Sequence, residues 1–385
     1  MGSRKLSVIV TVLTFLISST TASLADNPPR RILSGWLPDY SLARNLPTVE
    51  GNLDLIRDIS PFWYGLTGET SIKDKYALGK YTTPIEQVIS RLKANNLILL
   101  PTITDDNPKL VLANLLANPS SRTNIVQTIK ALVLKYNYDG IDLDFETFYT
   151  QDGRSSWVTL KPNWIAFIKE LSTALHDQGK LLSVTTPPDF APETKRAGNS
   201  VFSWAEIGPL IDRLRIMAYD FSTTSAGPIG PLPWSEDAVK YAVTQMPASK
   251  VFLGIPGYGR DWITKVEGVC PKDFASSVVV GAKAAVVMRE ALTLASSNNA
   301  TPTYNSTHAE STFTYKKTYV DPTNSASFCT ASRTVWYPDE RSYTARTNLV
   351  GKYRLGGERF GPLGWKIPLQ LPQLEILQNL LRQIK

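Results

Sequence analysis

Four carboxylates crowd into the stretch YNYDGIDLDFETF: Asp139, Asp142, Asp144 and Glu146, threaded between Ile141, Leu143 and Phe145. In an extended strand, side chains at 142, 144 and 146 share one face while those at 141, 143 and 145 share the other. One face is acidic and the other apolar. Like charges two residues apart cannot all ionise freely, so repulsion and burial raise the pKa of at least one of them. A carboxyl group that keeps its proton near neutral pH is what a general acid needs. Glu146, last in the row, is the candidate. The competing readings are a solvated acidic edge strand and a D-x-D-x-D metal loop. The interleaved Ile141, Leu143 and Phe145 argue against a solvated loop, and a calcium loop needs Gly where this run has Phe145 or Glu146.

Other chemistries find little support. The two histidines are His176, at the end of an amphipathic helix, and His308, in a polar loop. Neither a Ser-His-Asp arrangement nor a histidine metal site follows from them. Two cysteines, Cys270 and Cys329, are too few for zinc and in an exported chain read as one disulfide. No metal or cofactor is expected.

An acidic strand opening into a polar cavity at its carboxyl end fits a (β/α)8 TIM barrel, an α/β fold with its functional residues at that end. The chain alternates accordingly. Strands are expected in RILSGWLPDY (31–40), LDLIRDISPFWYGLTG (53–68, interrupted by Pro61), LILLPTITDD (97–106), the acidic stretch, LLSVTTPP (181–188), RLRIMAYDF (213–221), KVFLGIPGYGRDW (250–262) and GPLGWKIP (361–368). Between them lie helices: 82–96 with Thr83, Pro84 and Glu86 as a capping box, about 124–136, 161–180, 202–212, 234–246, 339–355 and a closing helix at 371–385. From 263 to 338 the alternation breaks. That segment reads as a small α+β insertion between the seventh strand and the next helix, with a helix near 282–295. It holds both cysteines, and the crosslink contributes roughly 4 kcal/mol on a chain-entropy argument.

The 385 residues form one elaborated domain in this reading, with 26–385 as the barrel and 1–25 as an export signal. Arg4 and Lys5, an apolar run from Leu6 to Ile17 and small residues to Ala25 make that signal. Cleavage after Ala25 removes two basic and no acidic residues, lowering the formal charge from +7 to +5. Scattered positive charge favours anionic surfaces such as cell wall and carries no nucleic-acid block. No later apolar run has the length of a membrane span. A secreted, extracellular or periplasmic monomer is expected.

DGIDLDFE resembles the D-G-x-D-x-D-x-E signature of glycoside hydrolase family 18, the chitinase-like enzymes. MAYD (217–220) resembles the family's M-x-Y-D element, GIPGYGRDW its seventh-strand element, and Trp365 its eighth-strand Trp; the likeness runs from about Ile32 to Pro368. The resemblance implies a retaining, substrate-assisted glycosidase acting on a polysaccharide that contains N-acetylglucosamine. In that scheme Glu146 is the acid, Asp144 steadies the acetamido group, Asp142 tunes Asp144, and Tyr219 bonds the acetamido oxygen. Trp365 stacks beneath the sugar, with Asp220, Tyr258, Arg260 and Trp36 as sugar contacts. Asp139 joins them as a candidate, although its phase suits shaping the turn or strand backbone. The family's S-x-G-G element on the third strand is replaced by LPTITDD, which resembles the branch of spore-cortex and peptidoglycan N-acetylglucosaminidases. A non-catalytic glycan-binding protein on the same barrel and an N-glycan endoglycosidase remain open alternatives.

Overall fold

The computed structural model describes residues 32–360 apart from residues 54 and 80. The apolar runs become strands β1 (Ile32–Pro38), β2 (Ile56–Phe62), β3 (Tyr64–Thr67), β4 (Ser71–Asp74), β5 (Ile98–Leu99), β6 (Thr102–Asp105), β7 (Gly140–Asp144), β8 (Leu181–Thr186), β9 (Arg213–Ile216) and β10 (Val251–Ile255). Five further strands, β11 (Tyr258–Gly268), β12 (Lys283–Val287), β13 (Thr303–Asn305), β14 (Glu310–Val320) and β15 (Phe328–Tyr337), precede β16 (Gly357–Phe360). β1 pairs in parallel with β2 on one side and β16 on the other, and the order continues through β10, β9, β8, β7, β6 and β3. β2 with β3 forms one strand path broken at Trp63; β5 with β6 forms another broken at Leu100 and Pro101. Because β2 meets β5 while β3 meets β6, the sheet closes on itself. This is the (β/α)8 barrel that the alternation predicts.

Helices α1 (Leu42–Glu50), α2 (Lys75–Leu78), α3 (Ile85–Ala94), α4 (Val111–Ala117), α5 (Pro119–Lys135), α6 (Thr147–Thr150), α7 (Trp157–His176), α8 (Trp204–Ile207), α9 (Leu232–Gln245), α10 (Met288–Ser297) and α11 (Glu340–Lys352) separate the strands. α7 shows why its sequence folds as it does. Trp164, Phe167, Ile168, Leu171 and Leu175 recur at helical spacing and are fully buried. Phe145, the apolar neighbour of Glu146, stacks on Phe167 at 6.1 Å between ring centroids. Burying such a ring stabilises by about 1.5–3 kcal/mol, which fixes the backbone on which Asp144 and Glu146 stand.

Several boundaries differ from expectation. α5 starts at Pro119, where the Asn118 side chain accepts from Ser120 and Ser121 N–H; a polar NPSS run that reads as loop is a cap followed by a first-turn proline. The expected capping box at Thr83 does not form: Pro84 is the cap of α3 and no side chain serves it. Pro61 lies inside β2, and the break falls at Trp63. The seventh strand ends at Ile255, so Tyr258 and Arg260 belong to the antiparallel sheet β12-β11-β15-β14-β13. That sheet therefore starts at 258 rather than 263, and residues 283–287 are strand before α10 begins at Met288. The barrel closes with β16 at 357–360, earlier than the expected 361–368; the rest of that stretch, Trp365 and the closing helix lie outside the described residues. The Cys270–Cys329 disulfide is formed. No described helix is long and apolar enough to cross a membrane.

Candidate active site

Polar residues at a spacing of two line the barrel lumen: Asp58 and Ser60, Thr102 and Thr104, Asp142 and Asp144, Ser183 and Thr185, Arg213 and Arg215. Register aligns Thr102, Asp142 and Ser183 in one layer. Asp142 is fully buried and accepts from Thr102 Oγ1 at 2.9 Å, Ser183 Oγ at 2.6 Å and Thr185 Oγ1 at 3.0 Å. Arg215, also fully buried, places Nη1 2.9 Å from Asp142 and Nη2 3.1 Å from Asp58. Three hydroxyls and a guanidinium replace the water that this buried carboxylate has lost. Burial in turn lowers the Arg215 pKa, against the attraction of Asp142.

Above this layer the strand ends open into a cleft of about 840 Å³ lined by Trp36, Asp144, Glu146, Tyr219, Asp220, Tyr258 and Arg260, among others. Seven of the residues singled out in the sequence thus converge. β7 ends at Asp144, and Glu146 follows as the residue leading into α6. One turn on, Tyr149 donates from Oη to Glu146 Oε2 at 2.5 Å. Burial pushes the Glu146 pKa up; the Tyr149 hydrogen bond pulls it down, and the Asp220 charge pushes it up again. The expected rise is present, with burial as its main cause and Asp220 rather than Asp142 as the charged neighbour.

β9 ends at Ile216, so Tyr219 and Asp220 lie on the loop beyond it, Asp220 with a left-handed φ of 61°. Gly254 on β10 clears their path: a Cβ there would stand 2.4 Å from Ile216 O and 3.2 Å from the Tyr219 ring. Tyr219 packs edge-on against Tyr258 at 6.3 Å. Burial first, then Tyr258 and the neighbouring carboxylates, raises the Tyr219 pKa, so its hydroxyl keeps the proton and can donate. Asp220 accepts from Tyr258 Oη and from Arg260 Nη2, the latter at 2.5 Å. A turn residue and two residues of the antiparallel sheet are thereby joined at the cleft.

Asp139 does not share the site. It lies at the opposite, amino end of β7, accepts from Leu99 N–H at 2.8 Å and pairs with Lys93 at 3.6 Å. Its sugar-contact assignment is corrected to a brace between strands. Asp142 lines the packed lumen below the cleft. Trp365 lies outside the described residues. Tyr149, Arg215, Thr102, Ser183 and Thr185 are the residues that the sequence reading passed over. The five period-two polar pairs in otherwise apolar strands were the available signal for the last four; Tyr149 had none.

The family model for "Glycosyl hydrolases family 18" matches residues 56–360. The chain belongs to that family. Among its relatives is a cortical fragment-lytic enzyme of Bacillus subtilis (strain 168), 25% identical over 300 residues, covering 75% of this chain and 61% of that protein. The fold also resembles a chitinase from Chromobacterium violaceum ATCC 12472, with TM-score 0.71 and 22% identity over 90% of this chain and 98% of the other. A spore cortex-lytic enzyme from Bacillus megaterium QM B1551 gives TM-score 0.70 and 20% identity, over 92% and 75% of the two chains. This family 18 chain spans about half to two thirds of the length of the first curated relatives it matches.

Proposed function

We propose that this family 18 protein is an exported retaining glycosidase that cleaves β-linked polysaccharides containing N-acetylglucosamine, with peptidoglycan ahead of chitin. The observation that carries the reading is Glu146: a cleft carboxyl whose pKa is raised by burial and by Asp220, beside Asp144 and a protonated Tyr219. Glu146 gives its proton to the leaving oxygen while the substrate's own acetamido oxygen attacks the anomeric carbon, one of the recognised alternatives to a carboxylate nucleophile. The positive oxazolinium ring that forms is stabilised by the Asp144 carboxylate. Tyr219 donates to the acetamido oxygen and orients it. Glu146, now ionised, removes a proton from the water that opens the ring, and retention follows from two displacements at one carbon. Asp142 acts at one remove, its charge fixed by Arg215 and three hydroxyls in the layer beneath Asp144. Trp36, Tyr258 and Arg260 contribute apolar rings and donors to the cleft walls. Export follows from the basic, apolar and small-residue runs of 1–25, which lie outside the described residues.

The test is product release from purified peptidoglycan and from chitin oligomers, read by mass spectrometry for wild type beside Glu146→Gln. Loss of roughly 10²–10⁴-fold in rate is expected for the variant, the worth of general acid–base catalysis. The reducing end released names the substrate. Equal rates for the two proteins would remove Glu146 as the acid, and no product from any such glycan would remove the glycosidase reading.

A further inference from the structure

The antiparallel sheet meets the cleft with an edge instead of a face. Lys283, Ala284 and Ala285, consecutive in β12, all line the cleft with Glu146, although consecutive strand side chains point to opposite faces. β12 is the terminal strand of its sheet and pairs with β11 alone. Ile263 of β11 turns its N–H to Ala282 and its C=O to Gly281. Antiparallel alternation then turns Asp261 and Gly259 to their partners Ala284 and Val286. The backbone groups of Lys283 and Ala285 consequently face away from the sheet. Among the described residues no further strand lies on that side.

An open edge is a template for one more extended chain, joined by main-chain hydrogen bonds. Ala284 and Ala285 are exposed and short, so another backbone can approach closely. Charge narrows the choice of occupant. Lys283 is exposed, donates to Thr223 O and lies 4.7 Å from the Trp262 ring centroid. Its ammonium has three donors, and among the described residues it enters no ion pair. Arg260, the other cation lining the cleft, is committed to Asp220. A bare polysaccharide offers no N–H and C=O ladder to match a strand edge. An extended peptide does, and a carboxylate on it would meet Lys283.

We propose that β12 docks an acidic peptide branch of the glycan bound in the cleft, with Lys283 pairing a peptide carboxylate and the Ala285 backbone bonding the peptide main chain. The inference rests on the cleft being a glycan site, and it makes peptide-bearing glycan the preferred substrate.

The experiment compares two fragments of one glycan of alternating N-acetylglucosamine and N-acetylmuramic acid, one bearing its peptides and one stripped of them. Wild type, Lys283→Glu and Ala285→Pro are assayed on both; proline on an edge removes an outward N–H without breaking the ladder. Wild type is expected to show kcat/KM about tenfold higher on the peptide-bearing fragment, the value of one charge-assisted contact. Each variant should bring that ratio towards one by losing more on the peptide-bearing fragment than on the stripped one. Equal turnover of both fragments by wild type, or equal losses on both in the variants, would overturn the proposal. Calorimetric binding of the two fragments to Glu146→Gln protein gives the same comparison without turnover. Absent hydrolysis thus counts against the glycosidase reading, whereas equal binding of the fragments counts against the edge. If Ala285→Pro instead changed the sedimentation coefficient of the free protein, the edge would be a contact between copies and the proposal would fall.

Discussion

Glu146 and Tyr149 stand three residues apart on either side of the start of α6, so one turn of backbone delivers the phenol to the carboxylate at 2.5 Å. In the proposed mechanism the contact leaves Glu146 Oε1 as the oxygen that carries the proton into the cleft, and it stabilises the ionised form. Tyr149 is therefore a positioning residue with an electrostatic signature. In Tyr149→Phe the Glu146 pKa rises further, because a hydrogen bond that favours the carboxylate is gone. The basic limb of the pH–kcat/KM profile should move to higher pH, with kcat/KM at its maximum falling roughly tenfold for one lost charge-assisted hydrogen bond. A limb that stays in place while activity falls would reduce Tyr149 to a structural side chain. The two roles differ in how legible they were. Asp144, Glu146, Tyr219 and Asp220 announce themselves because alternation and strand ends are written locally in the sequence. Tyr149 reaches Glu146 only through the turn after β7, and Arg215 reaches Asp142 from a strand more than seventy residues away. Tyr149 has no local pattern to betray it, and Arg215 has only its period-two pairing with Arg213, which marks the face but not the partner.

At the level of elements, the loop that carries Tyr219 and Asp220 is tied down from outside the barrel. Glu310, the first residue of β14, accepts from Ile229 and Gly230 N–H at 2.7 Å each and from Arg346 Nη2 of α11 at 3.0 Å. Gly230 is packed so closely that a Cβ would stand 2.3 Å from Ala218 O. One buried carboxylate thus joins the antiparallel sheet, the loop after β9 and the helix that leads to β16. Burial raises the Glu310 pKa while Arg346 and the two amides hold it down. Arg346→Met leaves that carboxylate without its cation and should destabilise by about 3–5 kcal/mol. Glu310→Gln/Arg346→Met should recover most of the loss. Urea unfolding of the three proteins checks this, and a double variant no more stable than the single one would show that the pair acts through packing alone. The barrel order and α7 were readable from periodicity, because apolar residues at helical and strand spacing decide them. The onset of the antiparallel sheet was not: Ile255-Pro256-Gly257-Tyr258 passes from barrel strand to new sheet with no polar spacer, so one continuous strand was the simpler reading.

For the whole molecule, the response of stability to pH turns on the strand that closes the barrel. Glu358 on β16 is paired in register with Leu33 of β1 and Leu253 of β10, so it sits at the seam where the last strand meets the first. It is buried and accepts from Thr347 Oγ1 of α11 at 2.7 Å; no other hydrogen bond reaches it among the described residues. Burial pushes its pKa from 4.5 up to about 7, with Thr347 pulling the other way. Below pH 4.5 the group is protonated both folded and unfolded and contributes no slope. As pH rises from there towards 7, the unfolded chain releases a proton that the folded chain retains, so the folded state loses ground. Each pKa unit is worth about 1.4 kcal/mol, which makes the loss roughly 3 kcal/mol by the time pH passes 7. Glu358→Gln keeps the contact with Thr347 and cannot ionise, so its stability should lack this component. The difference between variant and wild type is the informative quantity, because the remaining carboxylates titrate alike in both. Urea unfolding at pH 5 and pH 8 should show the variant gaining about 2–3 kcal/mol on wild type across that interval. A constant difference between the two proteins would mean that Glu358 ionises in the closed barrel as readily as in the unfolded chain.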